Sequence, residues 1–296
     1  MNNAGELLTS KRNVKKVNEI HLKYVDDLTL AEAVNLSEQL KYESPCNRPL
    51  PDNFHARTGH RFPAENSAVQ QQLVKTKEYA EVNDMKINEK KTKVMLFNPC
   101  RSIDFIPDIQ LGGTQLDLVE KAKLLGVVIR SDLKWKDNTE YIVKRAYKKL
   151  WMLRRLKGLG AGPDELLDLY VKQVRCLLEM AAPVWHGSLT LVEKSDIERV
   201  QKAALRLILG DAYENYQNAL EIANLETLDC RRDNLCLKFA KRASKHPKFK
   251  YWFKVKARLP TRHTTGNYYN PIARTDRLMK GPLSYLTRLL NSNSKK

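Results

Sequence analysis

The chain follows two hydrophobic rhythms in succession, and the change comes near Lys136. Before it, short runs of period two dominate. Ile20, Leu22 and Tyr24 alternate with polar neighbours and the alternation resumes at Leu28 and Leu30, which predicts strand pairing across residues 20–30. Residues 43–66 carry Pro45, Pro49, Pro51 and Pro63 and read as a loop, too long for a plain connection and so an insertion or a functional loop. Val69, Leu73 and Ala80 at helical spacing predict a helix from 67 to about 85, with Ser67 as N-cap. A turn at 88–90 then leads into a strand over 93–97. Gly112-Gly113 between alternating runs is a two-residue hairpin signal, because both positions tolerate positive φ. One more strand is expected over 124–129.

After Lys136 the period becomes 3.6. Ile142/Val143, Ala146/Tyr147, Leu150 and Leu153 mark one helix, and a second runs from Pro163 to about Met180. A third starts at Thr190 or Ser195, both with capping-box spacing, and ends at Gly210. A fourth starts near Asn218 or Thr227. The expected class is α+β. A short antiparallel sheet with one or two helices fills 20–136, with the loop at 43–66. A helical bundle fills 137–245, and a loosely ordered basic tail occupies 246–296.

Composition narrows the compartment more than the fold. Hydrophobic residues make up 42% of 296, enough for a sizeable core, and no apolar run reaches the length of about 18 that a membrane span needs. The first residues lack the apolar stretch of a secretory signal. Five scattered cysteines suit an intracellular, reducing compartment, nuclear or cytoplasmic, better than a disulfide framework. Cys230 and Cys236 have no His at ligand spacing, which argues against zinc.

Charge points to a partner. The net charge is +18, and from Arg231 onward 18 basic residues face only Asp233 and Asp276, so nearly all the excess lies at one end. The same segment interleaves aromatic residues in "HPKFKYWFKVKARLP", which favours nucleic acid over a solvated basic tail or an anionic membrane contact. A second basic face, Lys144, Arg145, Lys148, Lys149 and Arg155, falls on the helix over 138–157.

The chemistry-bearing feature is the acidic pair in "HLKYVDDLTL". Two carboxylates at a hairpin tip can share a divalent cation, and hard oxygen ligands suit Mg²⁺. Without an ion they make an ordinary Asp-Asp turn. Trp185 and His186 lack a neighbouring nucleophile and read as structural. None of the six histidines is followed two residues later by an acid, which excludes the iron site of a dioxygenase.

"KYVDDLTL" resembles the metal-binding hairpin of reverse transcriptases. The likeness continues in order through "MKINEKKTKVMLF", "KLLGVVIRSDLKW", "YIVKRAYKKLWMLRRL", "LYVKQVRCLLEMAAPVWHG", "IERVQKAALRLILG" and "LETLDCRRDNLCLKFAKR". These are similar to the palm and thumb of non-LTR (LINE-type, jockey-like) retrotransposon RNA-directed DNA polymerases over about residues 20–245. The resemblance implies Mg²⁺ or Mn²⁺ held by Asp26 and Asp27, with Tyr24 and Val25 lining the path of the primer end. It implies Lys91 or Lys93 near the incoming triphosphate, Lys91 as a catalytic candidate, and the basic helix face tracking an RNA template and DNA primer. The alternative for each lysine is a solvated turn.

The chain departs from that family upstream of Asp26, where Glu6 and Glu19 are the only acids and residues 1–19 read as a remnant. A two-metal site needs a further carboxylate. The expectation is therefore a polymerase fragment, inactive alone, with a strand edge open to self-association. The alternatives are a non-catalytic nucleic-acid-binding module and a truncated gene model of an active enzyme.

Overall fold

The computed structural model describes residues 19–24, 27–32, 60–62, 67–97, 105–107, 109–255, 268–270 and 275–293. The architecture is α+β, in two compact units, Met1–Ala122 and Lys123–Lys296. Among the described residues no helix is long and apolar enough to cross a membrane.

In the first unit, β1 (Glu19–Tyr24) and β2 (Asp27–Glu32) form an antiparallel hairpin in register from Glu19↔Glu32 to Tyr24↔Asp27. Helix α1 (Ala68–Val82) begins where expected, because the Ser67 hydroxyl accepts the Gln70 amide at 3.2 Å. It ends at Asn83, and Asp84 takes φ 55° as the chain turns away, with the Met85 amide reaching back to Ala80 O at 2.8 Å. Gln70 then acts as a short piece of strand. Its amide donates to Gln110 O and accepts from Gln110 N, both at 2.9 Å, fixing α1 to the hairpin of β6 (Gln110–Leu111) and β7 (Thr114–Gln115). That hairpin turns at Gly112 and Gly113, with φ 62° and 84°. Leu73, Ile109, Leu111 and Leu116 form the small core beneath it.

Three features of the chain before residue 137 differ from the sequence expectation. The sheet is not one antiparallel layer: the described strands form separate two-stranded ladders, and two of them are parallel. β3 (His60–Phe62) pairs with β5 (Phe105–Pro107), and β4 (Lys93–Val94) with β8 (Asp117–Leu118). β3 also lies inside the segment read as loop; the rest of that loop falls outside the described residues. The strand expected over 124–129 is broken. β9 (Lys121–Leu124) turns through Leu125 and Gly126, at φ 47° and 85°, into β10 (Val127–Arg130).

The second unit begins earlier than residue 137 because β10 is tied to the next helix. Asn138 Oδ1 accepts the Val128 amide at 3.1 Å, and Arg130 forks onto Asp132 and reaches Asp137 at 2.7 Å. That helix, α2 (Lys136–Gly158), buries Ile142, Ala146, Leu150 and Leu153 on one stripe. α3 (Pro163–Leu169) continues through a π-helical segment, Tyr170–Arg175, into Cys176–Glu179. Its buried residues Leu166, Tyr170, Val174 and Leu178 recur every fourth position. In an ideal helix that spacing drifts about 40° per step, and the wider π turn offsets the drift.

Ala181, at φ 52°, ends this helix, and Ala182–Trp185 makes a single turn. α4 (Leu191–Leu209) starts at Thr190, not Ser195. The Thr190 hydroxyl accepts the Glu193 amide at 3.3 Å while Glu193 accepts the Thr190 amide at 2.6 Å. At its other end Lys157 Nζ donates to Leu207 O at 2.6 Å, satisfying a last-turn carbonyl. The region expected to hold one fourth helix holds two, α5 (Tyr216–Ile222) capped by Asn215 and α6 (Leu228–Lys245) capped by Thr227.

The described part of the tail holds a helix that the sequence reading did not expect. α7 (Pro282–Asn293) packs along α6, burying Leu286 and Leu290 in the same core as Leu153, Trp185 and Ala240. Its seat is prepared by Gly187: a Cβ there would lie 2.6 Å from Tyr285 Cβ and closer still to its Cγ. Asn291 holds the backbone of Tyr268, accepting from its amide at 2.9 Å and donating to its carbonyl at 3.0 Å.

Candidate nucleic-acid interface

The β1–β2 register places Tyr24 opposite Asp27 at the end of the ladder, so only Val25 and Asp26 connect them. Those two residues, and the side chains of Tyr24 and Asp27, lie outside the described residues. Among the described residues no group of three or more His, Cys, Asp or Glu could hold a metal ion.

The Asn-x-x-Lys-Thr segment is a side-chain-capped turn. Asn88 Oδ1 accepts the Lys91 amide at 3.1 Å, and Asn88 O accepts the Thr92 amide at 3.0 Å and the Thr92 hydroxyl at 2.9 Å. The turn leaves the Lys91 side chain exposed, with no partner among the described residues. Lys93 is different: its ammonium pairs with Asp117 on the neighbouring strand, so its charge is partly neutralised.

The basic helix face is exposed at Lys144, Arg145, Lys148 and Arg155, with Lys149 half-buried. No ion pair among the described residues reaches Lys144, Arg145, Lys148, Lys149 or Arg155, although Lys136 and Glu140 pair one turn upstream. Arg145 lies over the Tyr141 ring at 5.4 Å and Lys149 reaches Gln173 at 3.5 Å. Arg155 lies over the Trp151 ring at 5.7 Å. The unexpected members are aromatic. Tyr147 is 45% exposed and Trp151 61%, and with Lys144, Lys148 and Arg155 they form one stripe opposite the buried one. The hydrophobic pattern alone groups Tyr147 with Ala146 on the apolar side. The signal that separates them is the spacing of 144, 147, 148, 151 and 155, which is itself helical.

Trp185 and His186 are structural, in keeping with the sequence. Trp185 is fully buried and donates from Nε1 to Met180 O at 3.0 Å. Arg232 Nε donates to His186 Nδ1 at 3.0 Å, so the ring's proton sits on Nε2 and is donated to Asp233 at 2.8 Å. The Tyr285 hydroxyl donates to the same Asp233 oxygen. Burial pulls the His186 pKa down against the opposing pull of Asp233, and the ring is neutral at physiological pH. Burial tends to raise the Asp233 carboxyl, but hydrogen bonds from His186 and Tyr285 outweigh it and hold the group below its usual range. Burial, with the carboxylate beside it, raises the Tyr285 phenol.

Comparison with protein-family models, with curated proteins and with solved structures finds no match.

Proposed function

We propose that this chain is the palm and thumb portion of a retroelement RNA-directed DNA polymerase, binding template and primer through the exposed face of α2. The observation that carries the reading is that face: Lys144, Lys148 and Arg155 have no acidic partner among the described residues and are interleaved with exposed Tyr147 and Trp151. Such a surface tracks phosphates with its cations and meets sugars or bases with its rings. The β1–β2 register supports a tip at Val25-Asp26, which suits a shared Mg²⁺ or Mn²⁺ on Asp26 and Asp27. Lys91, held out by the Asn88 turn, is the better candidate for a triphosphate than Lys93, whose ammonium Asp117 already occupies.

A two-metal phosphoryl transfer needs a third carboxylate. Asp26 and Asp27 supply two, and the proposal is that these 296 residues alone bind template–primer without extending it. Two assays test this. An RNA–DNA template–primer binds the chain with a salt dependence that weakens in Lys144→Gln, Lys148→Gln and Arg155→Gln, each by about 0.9 in the log–log slope. Unchanged binding in the triple variant would sink the interface. Primer extension with Mg²⁺ or Mn²⁺ gives no templated product, and synthesis abolished by Asp26→Ala would overturn the inactivity. A second reading, a non-catalytic nucleic-acid-binding module, draws on the same stripe and predicts binding indifferent to Asp26→Asn and Asp27→Asn, with or without Mn²⁺.

A further inference from the structure

The C-terminal half of α6 and the turn after it form a second cationic surface, separate from the stripe on α2. Lys238, Lys241, Arg242 and Lys245 share one exposed face at helical spacing. Lys248, Lys250 and Lys254 continue it, all exposed. No Asp or Glu occurs from Asn234 to Thr275, and none of these seven cations has an ion-pair partner among the described residues. Four lysines and arginines in a last helical turn or two would be ordinary compensation of the helix dipole. The segment beyond them has no such explanation.

After Lys245 the chain builds a rigid aromatic array on the surface. The rings of His246 and Phe249 lie 5.0 Å apart at 31°, and those of Phe249 and Trp252 lie 4.9 Å apart at 44°. Tyr251 stands edge-on to Trp252 at 6.1 Å. Phe249 is 37% exposed, Trp252 38% and Tyr251 65%. Exposed aromatics in a flexible segment would carry little weight, but this segment is pinned at both ends. The Phe249 and Lys250 amides bond His246 O at 3.0 and 2.9 Å, the Trp252 amide bonds Phe249 O at 3.0 Å, and Phe253 is driven into the core at 3% exposure. Val255 then bridges to Tyr268, whose backbone Asn291 of α7 holds. Little ordering entropy is therefore lost when the rings of this turn meet a ligand.

We propose that residues 238–254 bind single-stranded nucleic acid, with the α6 face and Lys248, Lys250 and Lys254 following the phosphates while Tyr251 and Trp252 stack on unpaired bases. Pre-ordered aromatic faces flanked by unpaired cations match the strand's own alternation of flat bases and charged phosphates. A duplex offers phosphates but keeps its bases stacked on each other, so it gains the charge contribution and not the ring contribution. An anionic membrane is the less suitable occupant, because the apolar side of α6 is committed to the core through Cys236, Ala240 and Ala243 and cannot insert into lipid. The proposal stands on 238–254 alone and holds whether or not Asp26 and Asp27 carry a metal.

The test uses the full chain and fluorescence anisotropy with labelled oligothymidylate, a blunt duplex of equal length, and phosphatidylserine vesicles as a third arm. Oligothymidylate binds more tightly than the duplex at matched salt. Trp252→Ala lowers its affinity about 10-fold or more without changing the salt slope, and Trp252→Phe recovers most of that loss. Lys248→Gln and Lys250→Gln each reduce the slope, by about 0.7 on single strand and about 0.9 on duplex. Trp252 is partly exposed, and thermal melting of each variant checks that the fold persists. The proposal is overturned if Trp252→Ala and Tyr251→Ala leave oligothymidylate affinity unchanged, if duplex binding falls equally in those variants, or if vesicles show the aromatic dependence instead. A Trp252→Phe variant that melts normally yet binds no better than Trp252→Ala overturns it as well. Because the α2 substitutions are read on template–primer and these on single strand, either surface can fail without the other.

Discussion

Replacing Gly187 by alanine is the sharpest probe of how the helical unit closes. Gly187 needs no unusual backbone, so the substitution acts by volume alone. The added Cβ would lie 2.6 Å from Tyr285 Cβ and 2.8 Å from its Cδ1, well inside van der Waals contact with the root of the ring. A side-chain tip could swing aside, but these atoms sit next to the backbone of α7, so the helix itself must shift. Overpacking of this kind costs about 1–3 kcal/mol. The upper limit is release of α7, which exposes Leu286 and Leu290 at about 1.5–3 kcal/mol each, roughly 3–6 kcal/mol together. Urea unfolding should therefore show a loss of about 1–3 kcal/mol, with melting lowered by about 2–4 °C per kcal/mol. The control is a double-mutant cycle with Tyr285→Gly, because alanine would keep the Cβ at 2.6 Å. If the clash is the cause, Gly187→Ala costs almost nothing once that Cβ and the ring are both gone. A cost below about 0.5 kcal/mol in the parent, or an equal cost in both backgrounds, would refute the reasoning.

Three further outcomes concern the same unit. The folded state depresses the pKa of His186 below its usual 6.5, so the unfolded chain binds the extra proton first. Stability should be full above about pH 6.5 and fall on acidification from there, and His186→Asn should flatten that part of a pH series of urea unfolding curves. Asp233, also depressed, adds a second loss that begins only below about pH 4. Thr190→Ala removes one half of the box that starts α4 and should cost about 1 kcal/mol by urea unfolding, with Thr190→Ser close to neutral. Burial pushes the Cys236 thiol up to about 12, whereas Cys176 and Cys230 are exposed. Peptide mapping after alkylation of the native chain at mild alkaline pH should find Cys176 and Cys230 modified and Cys236 intact until denaturant is added.

What the sequence made legible was local. Ser67 and Thr190 accept the amide three residues on, Gly112-Gly113 supply the positive φ of a two-residue turn, and all three appear in place. The buried stripe of α2 was legible for the same reason, since four aliphatic residues repeat on one face. Pairings across long separations were not. His60 meets Phe105 and Lys93 meets Asp117 in parallel ladders, and no short-range pattern encodes either partner. The Leu125-Gly126 turn was hidden because leucine at φ 47° is no turn signal and one glycine in an apolar run reads as strand. Helix α7 was hidden by its own composition: Ser284, Thr287 and Asn291 are buried beside Leu286 and Leu290, so polar residues interrupt the stripe that would have announced it. Of the candidate site, the cations of α2 were legible by composition. The rings of Tyr147 and Trp151 required knowing which face was core.

The seat that Gly187 makes for Tyr285 also sets a time order. Ser188 Oγ bonds Lys280 O across 92 residues, and Trp185, buried at the centre of the unit, shares its core with leucines from the last helix. During synthesis α2 through α6 emerge first, with one wall of their core still open to water. Contacts this distant in sequence form late, after the loop closure they require. Until Pro282–Asn293 has emerged, the core residues that Leu286 and Leu290 cover stay open to water, and apolar surface exposed in this way favours association. Docking of this helix thus closes the core after the rest of it has been made.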